Sequence, residues 1–165
     1  MAQHTLSVLV ENSPGVLARV AGLFARRGYN IDSLAVGPTE NPTVSRMTIV
    51  LNLEGHALDQ VSAQLFKLVN VIGIQEMTPA DSHQRELLLV KVGKKNGSAE
   101  KISDLAARFQ GRVVDETSTS MTLEVIGTSK DLESLLAALK EFGIRELAQS
   151  GLIAMEKGDA TLAER

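Results

Sequence analysis

The chain has 165 residues, of which 44% are apolar and 22% charged, with a formal net charge of -3 and no cysteine. Length alone allows one domain or two small ones. The composition excludes disulfides, thiolate catalysis and thiolate metal sites, and a mildly acidic chain without a Lys/Arg run lacks the electrostatic footprint for nucleic acid or an anionic membrane. The start Met1-Ala2-Gln3-His4 has no basic leader and no apolar run approaches the roughly 20 residues that span a bilayer, so the expected location is the cytoplasm.

From Thr5 to Val10 the residues alternate, with Leu6, Val8 and Val10 on one face and Thr5, Ser7 and Leu9 on the other, which predicts a strand. Val16, Leu17, Val20, Leu23 and Phe24 then recur at helical spacing, and Gly28 supplies a stop. Asn30 to Gly37 reads as extended, Pro38 to Pro42 as a loop, and Val44 to Leu51 as a further strand. Leu58, Val61, Leu65 and Leu68 mark a second helix, and Val71 to Met77 a short β-branched strand. The order is βαββαβ.

A loop from Thr78 to Gln84 breaks the pattern, and the order starts again. Glu86 to Val92 is a strand, and Ile102, Leu105, Ala106 and Phe109 share one helical face. Gly111 leads a strand through Val113 and Val114, and Met121, Leu123 and Val125 alternate in the next. Leu132, Leu135, Leu136 and Leu139 form a helix ended by Gly143, Ile144 to Ala148 is the last strand, and Leu152 to Met155 extends it. The predicted fold class is α+β, two ferredoxin-like βαββαβ sandwiches in tandem over 1–78 and 84–160, each with both helices on one sheet face. The two halves share architecture but almost no residue identity. Because Leu9 and Val50 add apolar residues to the opposite face of the first sheet, that face too is expected to be covered by a partner sheet or domain. The edge from Asn30 to Val36 holds no proline, which suits pairing with a second copy in a side-by-side homodimer.

Chemistry points to the turn Glu11-Asn12-Ser13-Pro14-Gly15. Ser13 suits an N-cap and Pro14 the first helical position, and Gly15 lets a small group approach the backbone. The amides of Gly15, Val16 and Leu17 would then offer an anion site, with the Asn12 amide beside them, a combination that fits a zwitterion. The same residues also make an ordinary well-capped turn. Catalysis finds little support: there is no nucleophile elbow, no phosphate-cradling glycine loop and no acid–base pair. His4, His56 and His83 are scattered and read as solvated surface residues. An RNA-recognition reading lacks aromatics at 5–10 and 44–51. Arg46, the one charge in an apolar strand, either points toward a partner's carboxylate or covers apolar surface with its stem.

The run Leu6-Ser7-Val8-Leu9-Val10-Glu11-Asn12-Ser13-Pro14-Gly15-Val16-Leu17, with Gly28-Tyr29-Asn30-Ile31, Ser45-Arg46-Met47-Thr48, Arg85-Glu86-Leu87-Leu88-Leu89-Val90-Lys91-Val92 and Ser150-Gly151, resembles the small regulatory subunits of acetolactate synthase (acetohydroxyacid synthase). The resemblance spans essentially the whole chain. It implies that the N-terminal half is an ACT domain, an amino-acid-sensing module, and that the chain is non-catalytic. It would activate a large catalytic subunit and confer feedback inhibition by valine, or by the related leucine or isoleucine. Thiamine diphosphate, a divalent metal (Mg) and FAD are implied only in that partner, with no cofactor or metal in this chain. Residue by residue, the resemblance assigns Asn12, Gly15 and Val16 to the effector turn, and Asn30 and Ile31 to the segment facing it from the other chain of the dimer. Gln149 departs from the arginine that many members carry before the Ser/Thr-Gly pair. The competing reading is a stand-alone ACT sensor controlling transcription or a different enzyme; the absence of a basic recognition helix argues against the first of these.

Overall fold

In the computed structural model, which describes residues 2–54 and 57–162, the first half folds as β1 (Ala2–Glu11), α1 (Val16–Arg27), β2 (Asn30–Pro38), β3 (Val44–Leu53), α2 (Ala57–Phe66) and β4 (Val71–Met77). His56 lies outside the described residues. The sheet order is β2-β3-β1-β4, with every neighbouring pair antiparallel. The strand alternation explains which face the helices take. Leu6 and Val8 stand opposite Ile49 and Met47, and these four pack with Val20, Leu23 and Phe24 of α1 and Val61 and Leu65 of α2. Each such aliphatic side chain contributes about 1.5–3 kcal/mol when fully buried.

The second half repeats the order as β5 (Ser82–Gly93), α3 (Ala99–Arg108), β6 (Arg112–Glu116), β7 (Ser120–Gly127), α4 (Ser129–Leu139), a 3-10 turn over Lys140–Phe142, and β8 (Ile144–Gln149). Its sheet order is β6-β7-β5-β8. Leu88, Val90 and Val92 of β5 share a core with Ile102, Ala106, Leu132, Leu135 and Leu139. Thr128 caps α4 by accepting the Asp131 amide at 3.2 Å. Gly111 lets β6 start hard against β7: a Cβ there would lie 2.5 Å from Val125 Cγ2 and 2.8 Å from the Glu124 carbonyl oxygen.

The chain's contacts define two units, one running from Gln84 to Gly151 and the other comprising the described residues up to His83 and those from Leu152 onward. The sequence reading ran the second domain through residue 160 and let Leu152–Met155 extend its last strand. In the structure Gly151 ends the second unit, and residues 153–156 form a separate strand, β9 (Ile153–Glu156), which pairs with β5 off the β6-β7-β5-β8 path and whose contacts group it with the first unit, the unit that also holds the first residues of β5. Its hydrogen bonds explain the return: the Leu152 amide donates to Ser33 Oγ at 3.0 Å, and Arg46 Nη2 donates to the Ala154 carbonyl at 2.6 Å. Ser33 and Arg46 lie on the outer face of the first sheet, opposite the helices. Leu9, Val50, Ser7 and Thr48 of this face are all buried, as the two-faced apolar pattern predicts. Within the first unit the segment bonded across it is the chain's own C-terminal strand. Among the described residues no helix is long and apolar enough to cross a membrane.

Candidate functional site

β1 delivers the turn between β1 and α1, and the turn differs from expectation in one respect. Ser13 does not cap the helix; Gly15 is the residue before α1, in the left-handed region at φ 84°, ψ -4°, and no side chain caps the helix. A left-handed residue there lets Pro14-Gly15 turn sharply, which a β-region Ser13 cap would not do. The Val16 amide folds back to the Ser13 carbonyl at 3.4 Å. It is therefore partly engaged rather than free. The amides of Gly15, Leu17 and Ala18 have no hydrogen-bond partner among the described residues and form the open end of α1. These donors and the helix dipole together favour an anion.

Two sets of bonds hold the turn. On one side the Asn12 amide donates to the Thr43 carbonyl at 2.8 Å, and Asn12 Nδ2 donates to the Pro42 carbonyl at 3.1 Å. One N–H of the Asn12 side-chain amide is thus committed to the fold, and its Oδ1 remains as an acceptor. On the other side the Glu11 amide donates to the Asn70 carbonyl at 2.9 Å, Asn70 Nδ2 donates to Glu11 Oε2 at 3.1 Å, and Arg19 Nη1 donates to Asn70 Oδ1 at 2.6 Å. Sequence reasoning missed Asn70 and Arg19. Asn70 stands between a helix and a strand with no motif around it, and only the fold brings it to Glu11.

Val16 is buried in the first-unit core, so its contribution to any ligand is through the backbone. Asn30 and Ile31 open β2 at the far end of the sheet. Asn30 stands opposite Asn52, whereas Glu11 stands opposite Val44. At about 3.3 Å per strand residue, that separates Asn12 from Asn30 by roughly 30 Å within one chain. The structure therefore brings Asn12, Gly15 and Val16 together and leaves Asn30 and Ile31 apart from them. Asn30 Nδ2 donates to Asp32 Oδ1 at 3.0 Å, and Asn52 and Gln3 also donate to the Asp32 carboxylate. Ile31 packs on the edge of the core. β2 is an outer strand of its sheet. Val36 on that strand and Leu17 in the first turn of α1 are about half exposed, at 48% and 47%.

Arg46 takes neither predicted role. Besides the Ala154 carbonyl, its Nη2 lies 3.0 Å from Ser7 Oγ. Burial holds its pKa below the ordinary arginine value, and the charge of Glu40 opposes that shift. His4 Nδ1 lies 2.9 Å from Glu76 Oε2, so it is paired rather than simply solvated, while His83 is exposed. Gln149 Nε2 donates to the buried Glu86 at Oε2, 3.3 Å away, beside a second bond from Ser129 Oγ at 3.1 Å.

The family model described as the AHAS small subunit-like ACT domain matches residues 6–73, and the model for the small subunit of acetolactate synthase matches residues 85–158. The chain belongs to the acetolactate synthase small-subunit family. It is 50% identical to the acetolactate synthase small subunit of Mycobacterium leprae over 155 residues, covering 94% of this chain and 92% of that one. It is 43% identical to a probable small subunit from Methanothermobacter thermautotrophicus over 160 residues, covering 96% and 95%. The crystal structure of the Thermotoga maritima small subunit superposes with a TM-score of 0.88 at 32% identity, over 97% of this chain and 100% of that one. Within the family this chain is a regulatory subunit and is not itself catalytic. Its ACT-type unit carries the turn described above.

Proposed function

We propose that this subunit binds a branched-chain amino acid, with valine the leading candidate, at the turn between β1 and α1, and that binding feeds back on a large catalytic subunit of acetolactate synthase that the chain otherwise activates. The observation that carries the reading is the uncapped, left-handed start of α1 beside a free Asn12 Oδ1. The open amides suit an α-carboxylate, and a neutral acceptor suits an α-ammonium. In this cytoplasmic holoenzyme, thiamine diphosphate, Mg and FAD belong to the partner.

The roughly 30 Å between Asn12 and Asn30 favours a site shared by two copies. Antiparallel pairing of β2 with its copy sets Asn30 of one chain opposite the Pro38 end of the other, the end at which the effector turn lies. Such a homodimer also covers the open edge and the exposed Val36. Ligand held across that seam favours one arrangement of the two chains, and catalytic output follows by linkage, with coupling of about 1–3 kcal/mol as the usual range.

The test is isothermal titration with valine, leucine and isoleucine, using Asn12→Ala as control, alongside sedimentation. Saturable heat with valine that disappears in the variant supports the reading, as does inhibition lost with activation retained. A chain that is monomeric at micromolar concentration refutes the shared site, and loss of activation together with inhibition would make Asn12 merely structural.

A further inference from the structure

We propose that Leu152–Glu156 is a releasable strap across the outer face of the first sheet, that Arg46 is its lock, and that strap and effector turn respond to one another; the last part rests on the effector reading above. Leu152 and Ala154 face inward and are buried, whereas Ile153 and Met155 are 60% and 64% exposed. The strap thus carries two inward anchors, one large and one small, rather than a continuous apolar face. It is held by its strand pairing with β5, by Ser33 at Leu152, by Arg46 at Ala154, and by Lys157, whose Nζ donates to the Ala80 carbonyl at 2.9 Å and whose amide donates to the Asp81 carbonyl at 2.9 Å. A four-residue strand with one ladder partner and two inward side chains opens at lower free energy than the longer strands paired on both sides.

The surface beneath it can bear opening. Ser7, Thr48 and Ser33 offer hydroxyls to water beside Leu9 and Val50, so the surface that release uncovers is mixed and not wholly aliphatic. Arg46 also keeps a partner. Glu40, in the loop entering β3, already attracts it and can receive the guanidinium once the Ala154 carbonyl leaves. The same loop connects the lock to the effector turn. Pro42 and Thr43 accept the bonds from Asn12, and Arg46 follows three residues after Thr43. The loop is braced internally: Asn41 Oδ1 accepts the Thr43 amide at 3.0 Å, and Thr39 Oγ1 donates to the Val44 carbonyl at 2.8 Å. A braced loop transmits displacement instead of absorbing it. Between loop and strap lies an open cleft of about 460 Å³, bordered by Leu9, Arg46 and Met155, which gives the strap room to move.

The test is amide hydrogen exchange on the full chain, with circular dichroism confirming folding. Arg46→Met keeps the apolar stem and removes the donors, and should speed exchange over residues 152–157 tenfold or more and also speed it at Thr43 and Val44. Amides of Leu88 to Val92 in the second unit should not change. Arg46→Lys, which keeps charge and volume, should fall between. Asn12→Ala should also speed exchange over the strap, an arm that needs no ligand. Saturating valine should slow strap exchange in the unaltered chain. Unchanged strap exchange in Arg46→Met overturns the lock, and unchanged strap exchange in Asn12→Ala overturns the linkage. Bound valine, seen as titration heat, with no change in the strap also overturns the linkage. Absence of valine heat refutes the effector reading alone, because the ligand-free arms still decide the strap.

Discussion

Replacing Gly15 separates what the turn does for folding from what it does for ligand. A Cβ built on Gly15 meets nothing within 4 Å, so Gly15→Ala tests backbone strain and no clash. At φ 84° an L side chain costs about 1–2 kcal/mol, and the stiffer unfolded chain returns about 0.4–1 kcal/mol. The net expectation is a loss of roughly 1 kcal/mol, or about 2–4 °C in Tm for a chain of this length. The sign is the discriminating quantity, since in right-handed helical or extended backbone the same change would stabilise. Gly15→Asp reverses the ranking for binding. Asp tolerates left-handed backbone better than Ala, so it should cost less stability. Its carboxylate would face that of the ligand, and two unit charges about 4 Å apart repel by about 1 kcal/mol in water and about 4 kcal/mol at an effective dielectric near 20. Urea unfolding followed by circular dichroism reads the first effect, and valine titration reads the second. An Ala variant as stable as the parent, or an Asp variant that binds valine normally, would refute the reasoning.

Asn70→Ala should cost about 1–3 kcal/mol in urea unfolding, because Arg19 and Glu11 lose their shared partner. Gly111→Ala should destabilise the second unit by about 1–3 kcal/mol, since Cβ meets a backbone carbonyl that cannot swing away; exchange should quicken in β6 and β7 and not in β1. Gln149→Arg should gain roughly 1 kcal/mol by giving Glu86 a charged donor in place of a neutral one. A double-mutant cycle with Glu86→Gln, read by thermal melts, should abolish that gain.

Both βαββαβ passes were legible because periods of 2 and 3.6 alternate cleanly and turn residues fall between them. The turn between β1 and α1 was legible as a place and misread in detail. Ser-Pro-Gly supports a Ser13 cap or a left-handed Gly15 equally well in local chemistry, and only the path into α1 decides. Arg46 was visible as an anomaly, yet its partner was not, because it is a backbone carbonyl and carbonyls leave no mark in a sequence. β9 was read as an extension of the last strand, whereas it is a separate strand that pairs with β5. Four residues with two inward side chains carry too little pattern to name the strand they pair with. The roles of Asn12 and Gly15 toward ligand remain the subject of the titrations above.

The first unit is discontinuous in sequence, with the whole second unit inserted between His83 and Leu152. During synthesis, therefore, β1 to β4 emerge and can form their helix-side core while the opposite face still lacks its last strand. That face waits for a complete second unit to be translated before residues 152–156 exist to bind it. A fragment ending at His83 would keep every helix and strand of the ACT fold and still expose Leu9 and Val50 together. Excising the ACT unit for engineering thus calls for grafting residues 152–157 back on, through a linker spanning from His83 to Leu152.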